Sequence, residues 1–327
     1  MLRGESATGQ ESKPLALVVF WQLCYKPSLR DLGRDERNRM MENWTETYRG
    51  AVPPWQCDVT EHFTVAYYFD RLEEADANLA DAFCLTDLPR GDLPRRIDVR
   101  FTRELRAGAC FHVESAALGI GAHAGDGALR VGHRFLDSAS GEVVSWFDEH
   151  WDLSATPLTP PQRRTIEARL RVWDGPAADP RPEPATTDGF IPSARGRIRP
   201  GDVDAVGHCA LGAIVHRFST ASGQLGAAVG MNAGFMHQQR RGFSTFELIL
   251  RISGALRLDA PYLVETGIAH LGTSSLRMIH RMTNAQTGAE VARLSQFGVN
   301  LDLGSRRPAP WPDDIRRRAG ALVVPLK

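Results

Sequence analysis

The amino-acid sequence predicts an α+β fold in which one unit is used twice. Three observations predict it. One order of features occurs in both halves of the 327-residue chain. Each copy runs from a segment of helical period into several strand-like segments separated by turn signals. A proline-rich stretch lies between the copies: nine of the twenty prolines fall between residues 155 and 200.

The repeat is read by setting Asp58 on Asp204, an offset of 146. His62 then falls on His208, Arg71 on Arg217, Ala75 on Ala221, Leu79 on Leu225 and Ala82 on Ala228. Further along, Arg100 matches Arg251 and Val113-Glu114-Ser115 matches Val264-Glu265-Thr266 at an offset of 151, so a small insertion separates the two blocks. A fixed order met twice is the signature of a duplicated unit.

The elements follow in order. Residues 1–40 are polar and turn-rich apart from the apolar run Leu15–Tyr25, and read as a loosely ordered extension. That run lacks a small-residue cleavage site, so an export signal is not the expectation. In the first copy, Tyr67, Leu72, Ala75, Leu79, Ala82 and Phe83 recur at helical spacing. Strand-like segments follow at 97–105, 110–120, 128–138 and 142–153, with turns at Gly125-Asp126-Gly127 and Ala139-Ser140-Gly141. Residues 160–173 read as one helix with prolines in its first turn, and 175–189 as a stiff linker. The second copy repeats the helix and places strands at 246–256, 262–272, 274–284 and 290–303. The expected organisation is an extension 1–40, a first domain 41–154, a helix and linker 155–195, a second domain 196–305 and a tail 306–327. The Ala- and Gly-rich helix around 223–230 lets a sheet approach closely, which suggests a helix wrapped by its sheet.

Composition bounds the function. Lys plus Arg is 39 and Asp plus Glu is 39, a balance that argues against a nucleic-acid partner. No apolar run approaches the length of a membrane span. The five cysteines are scattered and form no CxxC pair, so neither a disulfide framework nor a zinc site is expected. A reducing cytoplasm is the expected location.

Residues 54–75, PWQCDVTEHFTVAYYFDRLEEA, resemble the opening of hotdog-fold thioesterases of the 4-hydroxybenzoyl-CoA and acyl-CoA thioesterase-like group. Residues 202–221, DVDAVGHCALGAIVHRFSTA, resemble the same loop, and 272–292 resemble the last hairpin of such domains. Departures are present: Glu61 and Thr64 stand where the family usually has Gly and Asn, and Ala210 and Ala213 where it has Asn and Tyr.

The resemblance implies a double hotdog, two central helices each wrapped by an antiparallel sheet, with the sheets paired edge to edge. It implies an acyl-thioester hydrolase acting on acyl-CoA or an acyl-carrier thioester, with coenzyme A as part of the substrate, no other cofactor and no metal; a homodimer is compatible with it. A carboxylate at a loop–helix junction supplies a base or nucleophile, and free first-turn amides supply oxyanion donors. Asp58 and Asp204 are the candidate bases, and His62 and His208 the groups that orient them or carry protons. Thr64 and Tyr67 are candidates for substrate contact, as are Arg240 and Arg241 for a coenzyme A phosphate. Arg95 and Arg96 occupy the equivalent pre-strand position in the first copy. Against these stand plainer roles: an N-cap for each Asp, salt bridges for Arg71 and Arg217, solvent for Glu61. Cys57 has no counterpart in the second copy and is not taken as a nucleophile. Two other functions remain in view, a non-catalytic acyl-binding protein and a hotdog hydratase or dehydratase. The latter is disfavoured by the three-residue gap between Asp and His.

Overall fold

The computed structural model describes residues 44–58, 60–85, 93–121, 128–177, 181–184 and 186–326. The extension at 1–40 and the Gly125-Asp126-Gly127 turn lie outside the described residues.

The first half contains β1 (Thr45–Ala51), α1 (Val65–Ala82), β2 (Arg95–Phe101), β3 (Cys110–Ile120), β4 (Ala128–Asp137) and β5 (Val143–Asp152), followed by α2 (Pro160–Glu167). The second contains β6 (Ile191–Arg197), α3 (Leu211–Val229), α4 (Ala233–Gln239), β7 (Arg241–Ile252), β8 (Pro261–Leu271), β9 (Ser275–Asn284) and β10 (Glu290–Asp302). The short β11 (Arg307–Pro308) and α5 (Asp313–Gly320) close it. Element order is therefore the same in both halves, with α4 inserted in the second.

One eleven-stranded sheet carries the strands in the order β1-β3-β4-β5-β2-β7-β10-β9-β8-β6. The halves join where β2 pairs antiparallel with β7, Arg100 opposite Glu247 and Arg95 opposite Ile252. The helices α1 and α3 pack against each other inside the curved sheet, and the main core is theirs: Phe69, Leu72 and Ala75 from one, Ile214, Phe218 and Ala221 from the other. Apolar residues alternate along the covering strands, as in Arg95–Phe101, where positions 97 and 99 are buried.

Several boundaries differ from the sequence reading. The helix expected over 160–173 stops at Glu167 and is closed at its start by a capping box between Thr159 and Gln162. Strand β7 starts at Arg241 rather than 246. Its pairing with β10 absorbs a bulge opposite Phe297/Gly298, where Phe246 is the extra residue on β7. The five-residue drift in offset, from 146 to 151, falls between Ala228 and Arg251, the stretch that holds α4. The segment 306–327 is more than a tail, because Trp311, Ile315 and Ala319 are buried against α3 and β8. Helix α5 does for the second half what α2 does for the first, where Ile166 is buried in the same way. The residues Arg95 and Arg96 are in β2, not in a loop.

Candidate functional site

The two Asp/His loops are copies in detail. In the first, Asp58 Oδ1 accepts from Thr60 N (2.7 Å), Thr60 Oγ1 (2.6 Å) and His62 N (3.2 Å). In the second, Asp204 Oδ1 accepts from Val206 N (3.0 Å) and His208 N (2.9 Å). Both aspartates thus hold the turn that leads into a helix. Neither caps the helix itself, whose N-cap residues are Thr64 and Ala210. The turn needs a left-handed residue, supplied by Gly207 at φ 83° and by Glu61 at φ 65°. Glu61 keeps the glycine conformation at some cost in strain, and its side chain is exposed.

The histidines differ. His208 is buried at 6% exposure. His62 faces a cavity, with Nδ1 2.8 Å from Thr60 Oγ1 and Nε2 3.0 Å from Glu104 Oε2. Arg306, from the turn after β10, bonds Glu104, while Arg106 Nη2 lies 3.0 Å from His62 Nε2. The hydrogen bond from His62, and then Arg306, hold the Glu104 carboxyl below its ordinary range.

This cavity, of about 550 Å³, lies between the halves at the start of α1. Its mouth carries Asp58, His62, Glu104 and Arg306, and one wall is the helix start at Thr64 and Val65. Its floor is apolar, with Tyr68, Phe101, Val215, Leu248 and Leu294. The second half adds the neutral residues Ser219, Ser222, Thr245 and Gln296, the last three linked by hydrogen bonds. Ser222 Oγ lies 2.9 Å from Gln296 Oε1, and Gln296 Nε2 donates to Thr245 at 2.8 Å. His280 stands 3.2 Å behind Ser222; burial pushes its pKa down to about 4 and keeps it neutral.

At the related place beside α3 the same positions are charged. At the offset of 146, Ser219 is replaced by Glu73 and Ser222 by Asp76. Gln296 corresponds to Glu149, and His280 to His133. The Glu73 carboxylate accepts from Leu211 N at 2.8 Å and so occupies the first-turn amide of α3. Desolvation pushes its pKa up to about 7, against the Leu211 amide and Arg95. Behind it Arg95 Nη1 lies 2.8 Å from Asp76 Oδ2 and 3.5 Å from Glu149 Oε2, and His133 Nε2 lies 3.2 Å from Asp76. The ligand atoms of Asp76, His133 and Glu149 lie within 4.8 Å of one another, a set of metal-ligand type. The cationic place among them is taken by the Arg95 guanidinium.

Of the other expected residues, Thr64 lines the cavity, but Tyr67 does not. It stacks on Phe63 and meets His216 edge-on, while its neighbour Tyr68 turns inward. Arg240 is a left-handed helix cap and Arg241 pairs with Asp302 at 2.7 Å; neither lines the cavity. Arg103 and Arg306 do. Arg95 is excluded from phosphate binding by its burial, and Arg96 by its bidentate bond to Asp98. Arg71 and Arg217 both brace the loop, on Gln56 and Asp202 respectively. The Cys57 thiol is pushed up by desolvation and by Asp58, the opposite of what a thiolate nucleophile needs. Glu104, Glu73, Ser222 and Gln296 went unnoticed in the sequence. The last three were visible as charge changes between aligned copies; Glu104 carried no such signal.

Residues 198–319 match the family model of the thioesterase-like superfamily. Solved structures similar to the whole double hotdog include a putative oleoyl thioesterase from Lactobacillus plantarum (TM-score 0.59, 14% identity, 83% of this chain and 100% of that one). An acyl-ACP thioesterase from Bacteroides thetaiotaomicron gives a TM-score of 0.56 at 12% identity, over 77% of this chain and 96% of that one. The 12:0-ACP thioesterase from Umbellularia californica gives 0.55 at 15%, over 77% and 92%. At these identities the likeness is one of fold. No curated protein sequence matches the chain. No helix among the described residues is long and apolar enough to cross a membrane.

Proposed function

We propose that this double hotdog hydrolyses an acyl thioester in the cavity at the start of α1. The observation that supports this most is the asymmetry of the two helix starts. One opens into a cavity with a polar mouth and an apolar floor, whereas the other is occupied by Glu73. A chamber of several hundred Å³ that joins an apolar floor to convergent polar groups suits a small-molecule site.

The acyl chain lies over Tyr68, Phe101 and Leu294, and the thioester oxygen meets the first-turn amide of Val65 in the field of the helix start. His62 is the acid–base group. The Thr60 hydroxyl donates its hydrogen bond to Asp58 and so accepts from Nδ1–H. This leaves Nε2, beside Arg106 and Glu104, as the nitrogen that takes the proton of the attacking water, with Glu104 stabilising the imidazolium. The same proton then goes to the sulfur of the leaving thiol. Asp58 holds the loop in this reading, because its Oδ1 is engaged by three donors of its own turn. Arg103, Arg106 and Arg306 at the mouth suit the anionic arm of coenzyme A or an acyl-carrier protein.

Incubation with an acyl-CoA panel and a thiol reagent tests the proposal. Thiol release that His62→Gln abolishes supports it. Acyl binding without release by the wild type would make the protein a non-catalytic acyl binder.

A further inference from the structure

A second cavity, of about 160 Å³, lies deeper in the second half, between α3, β8, β9 and the closing helix α5. Its lining is almost wholly apolar, including Leu225, Met231, Met278, Trp311 and Ile315. Ser222 and Phe243 line both this cavity and the larger one. The two spaces are thus adjacent chambers, divided by one small side chain and one aromatic ring. The Phe243 ring lies against Trp311, with centroids 6.4 Å apart.

The repeat explains why the space exists here and not in the first half. At the offset of 146, Ala77, Ala80 and Phe83 correspond to Gly223, Gly226 and Val229. All three of the latter are smaller; the Cβ place of Gly226 is taken by the Met231 carbonyl oxygen, so Gly223 and Val229 are the two that open space. In the first half the corresponding region is filled by Leu79, Phe83, Leu129, Trp151 and Ile166. Gly223 is an exposed residue at the rim of the chamber, and a Cβ built on it meets nothing within 4 Å, so a larger side chain has room there. Close-packed interiors do not keep such voids without cost.

We propose that this inner chamber holds the distal end of an unbranched aliphatic acyl chain, and that Gly223, Val229 and Trp311 set the longest chain accepted. The proposal rests on the reading that the outer cavity takes an acyl thioester. A flexible chain passes Ser222 once the Phe243 ring turns aside, and a rigid aryl group stays in the outer cavity. The hydroxyl of Ser222 is bonded to Gln296, so an apolar tail passing it leaves no polar group newly stranded.

The test uses the full chain and saturated fatty acids from butanoic to hexadecanoic, with affinity read by calorimetry, beside hydrolysis of the matching acyl-CoA series. Affinity is expected to rise about fourfold per methylene, up to the length that fills the inner chamber. Gly223→Leu places a branched side chain at the rim of that chamber. It should lower affinity for the long acids by about tenfold or more and leave the short ones within about twofold. Val229→Phe, which restores the side chain of the first half, should act in the same direction, and Gly223→Ala should do little. Long-chain affinity unchanged in folded Gly223→Leu and Val229→Phe would overturn the proposal, as would a wild type that binds no fatty acid. If the length-dependent binding appears but no acyl-CoA is cleaved, the inner chamber stands and the hydrolase reading falls.

Discussion

The starts of α1 and α3 are built alike and used differently. Each follows a turn held by an aspartate, each lies against the side of the other helix, and each faces four aligned polar positions. Beside α1 those positions are Ser219, Ser222, His280 and Gln296, neutral groups that leave a cavity. Beside α3 they are Glu73, Asp76, His133 and Glu149, with the Arg95 guanidinium against Asp76 and Glu149, and Glu73 on the first-turn amide. Duplication makes two equivalent clefts available. Here charge distinguishes them: a carboxylate neutralises one helix start from within the protein, and the other remains for an incoming carbonyl oxygen. A single-domain dimer cannot make this division, because a substitution appears in both of its clefts.

Removing the charge that unifies the closed cleft should have the largest effect. Arg95→Met leaves Asp76 and Glu149 buried without their cation, which typically costs 3–5 kcal/mol, about the full effect of breaking a buried pair. Chemical denaturation should show a large fall in midpoint; a small one would mean that the cleft takes up water or another cation.

His62→Gln should come next, with kcat lowered by about a hundredfold or more, as general acid–base help is worth 10²–10⁴, roughly. Circular dichroism and thermal midpoint should be unchanged, since the backbone amide of residue 62, not its ring, closes the turn on Asp58. Full activity in this variant would remove His62 from the chemistry.

Glu73→Gln sharpens the comparison through pH. The folded-state pKa of Glu73 is raised to about 7, so the native protein binds a proton there that the unfolded chain releases near its ordinary 4.5. Stability from this group is therefore full below pH 4.5 and falls as pH rises towards 7. Gln keeps the acceptor for Leu211 N–H and removes the charge. The variant should gain a few degrees in thermal midpoint at pH 8 and nothing at pH 4, with kcat/KM little changed. A loss of a hundredfold in activity would move the working site to the start of α3.

The smallest effect is expected for Asp58→Asn, less than about tenfold in kcat, because the amide oxygen of Asn can accept the same turn bonds. A hundredfold loss would instead make Asp58 the base.

Much of this was legible in the sequence. The offset of Asp58 on Asp204 fixed the duplication and the helix–meander order, because the turn and the core-facing residues are the same in both copies. The drift in offset from 146 to 151 marked an insertion between Ala228 and Arg251, where α4 lies, whereas the bulge opposite Phe297/Gly298 was not legible, since one extra strand residue leaves no composition signal. The role of 306–327 was missed because Trp311 and Ile315 are isolated apolar residues among charges, buried by a partner surface distant in sequence. Within the site, Asp58 and His62 stood out by residue type. What separates His62 from His208 is Glu104 and Arg306, brought to it from loops far apart in the chain. Tyr67 and Tyr68 are adjacent, and only the rotation of α1 decides which of them turns into the cavity.

A crystal structure with a non-hydrolysable acyl thioether of coenzyme A would test most directly whether the two clefts have diverged in this way. The acyl chain should lie over Tyr68 and Leu294, with its first carbon near Val65 N–H and His62, and Glu73 should still be bonded to Leu211 N–H. A chain found at the start of α3, with Glu73 displaced from that amide, would contradict the account.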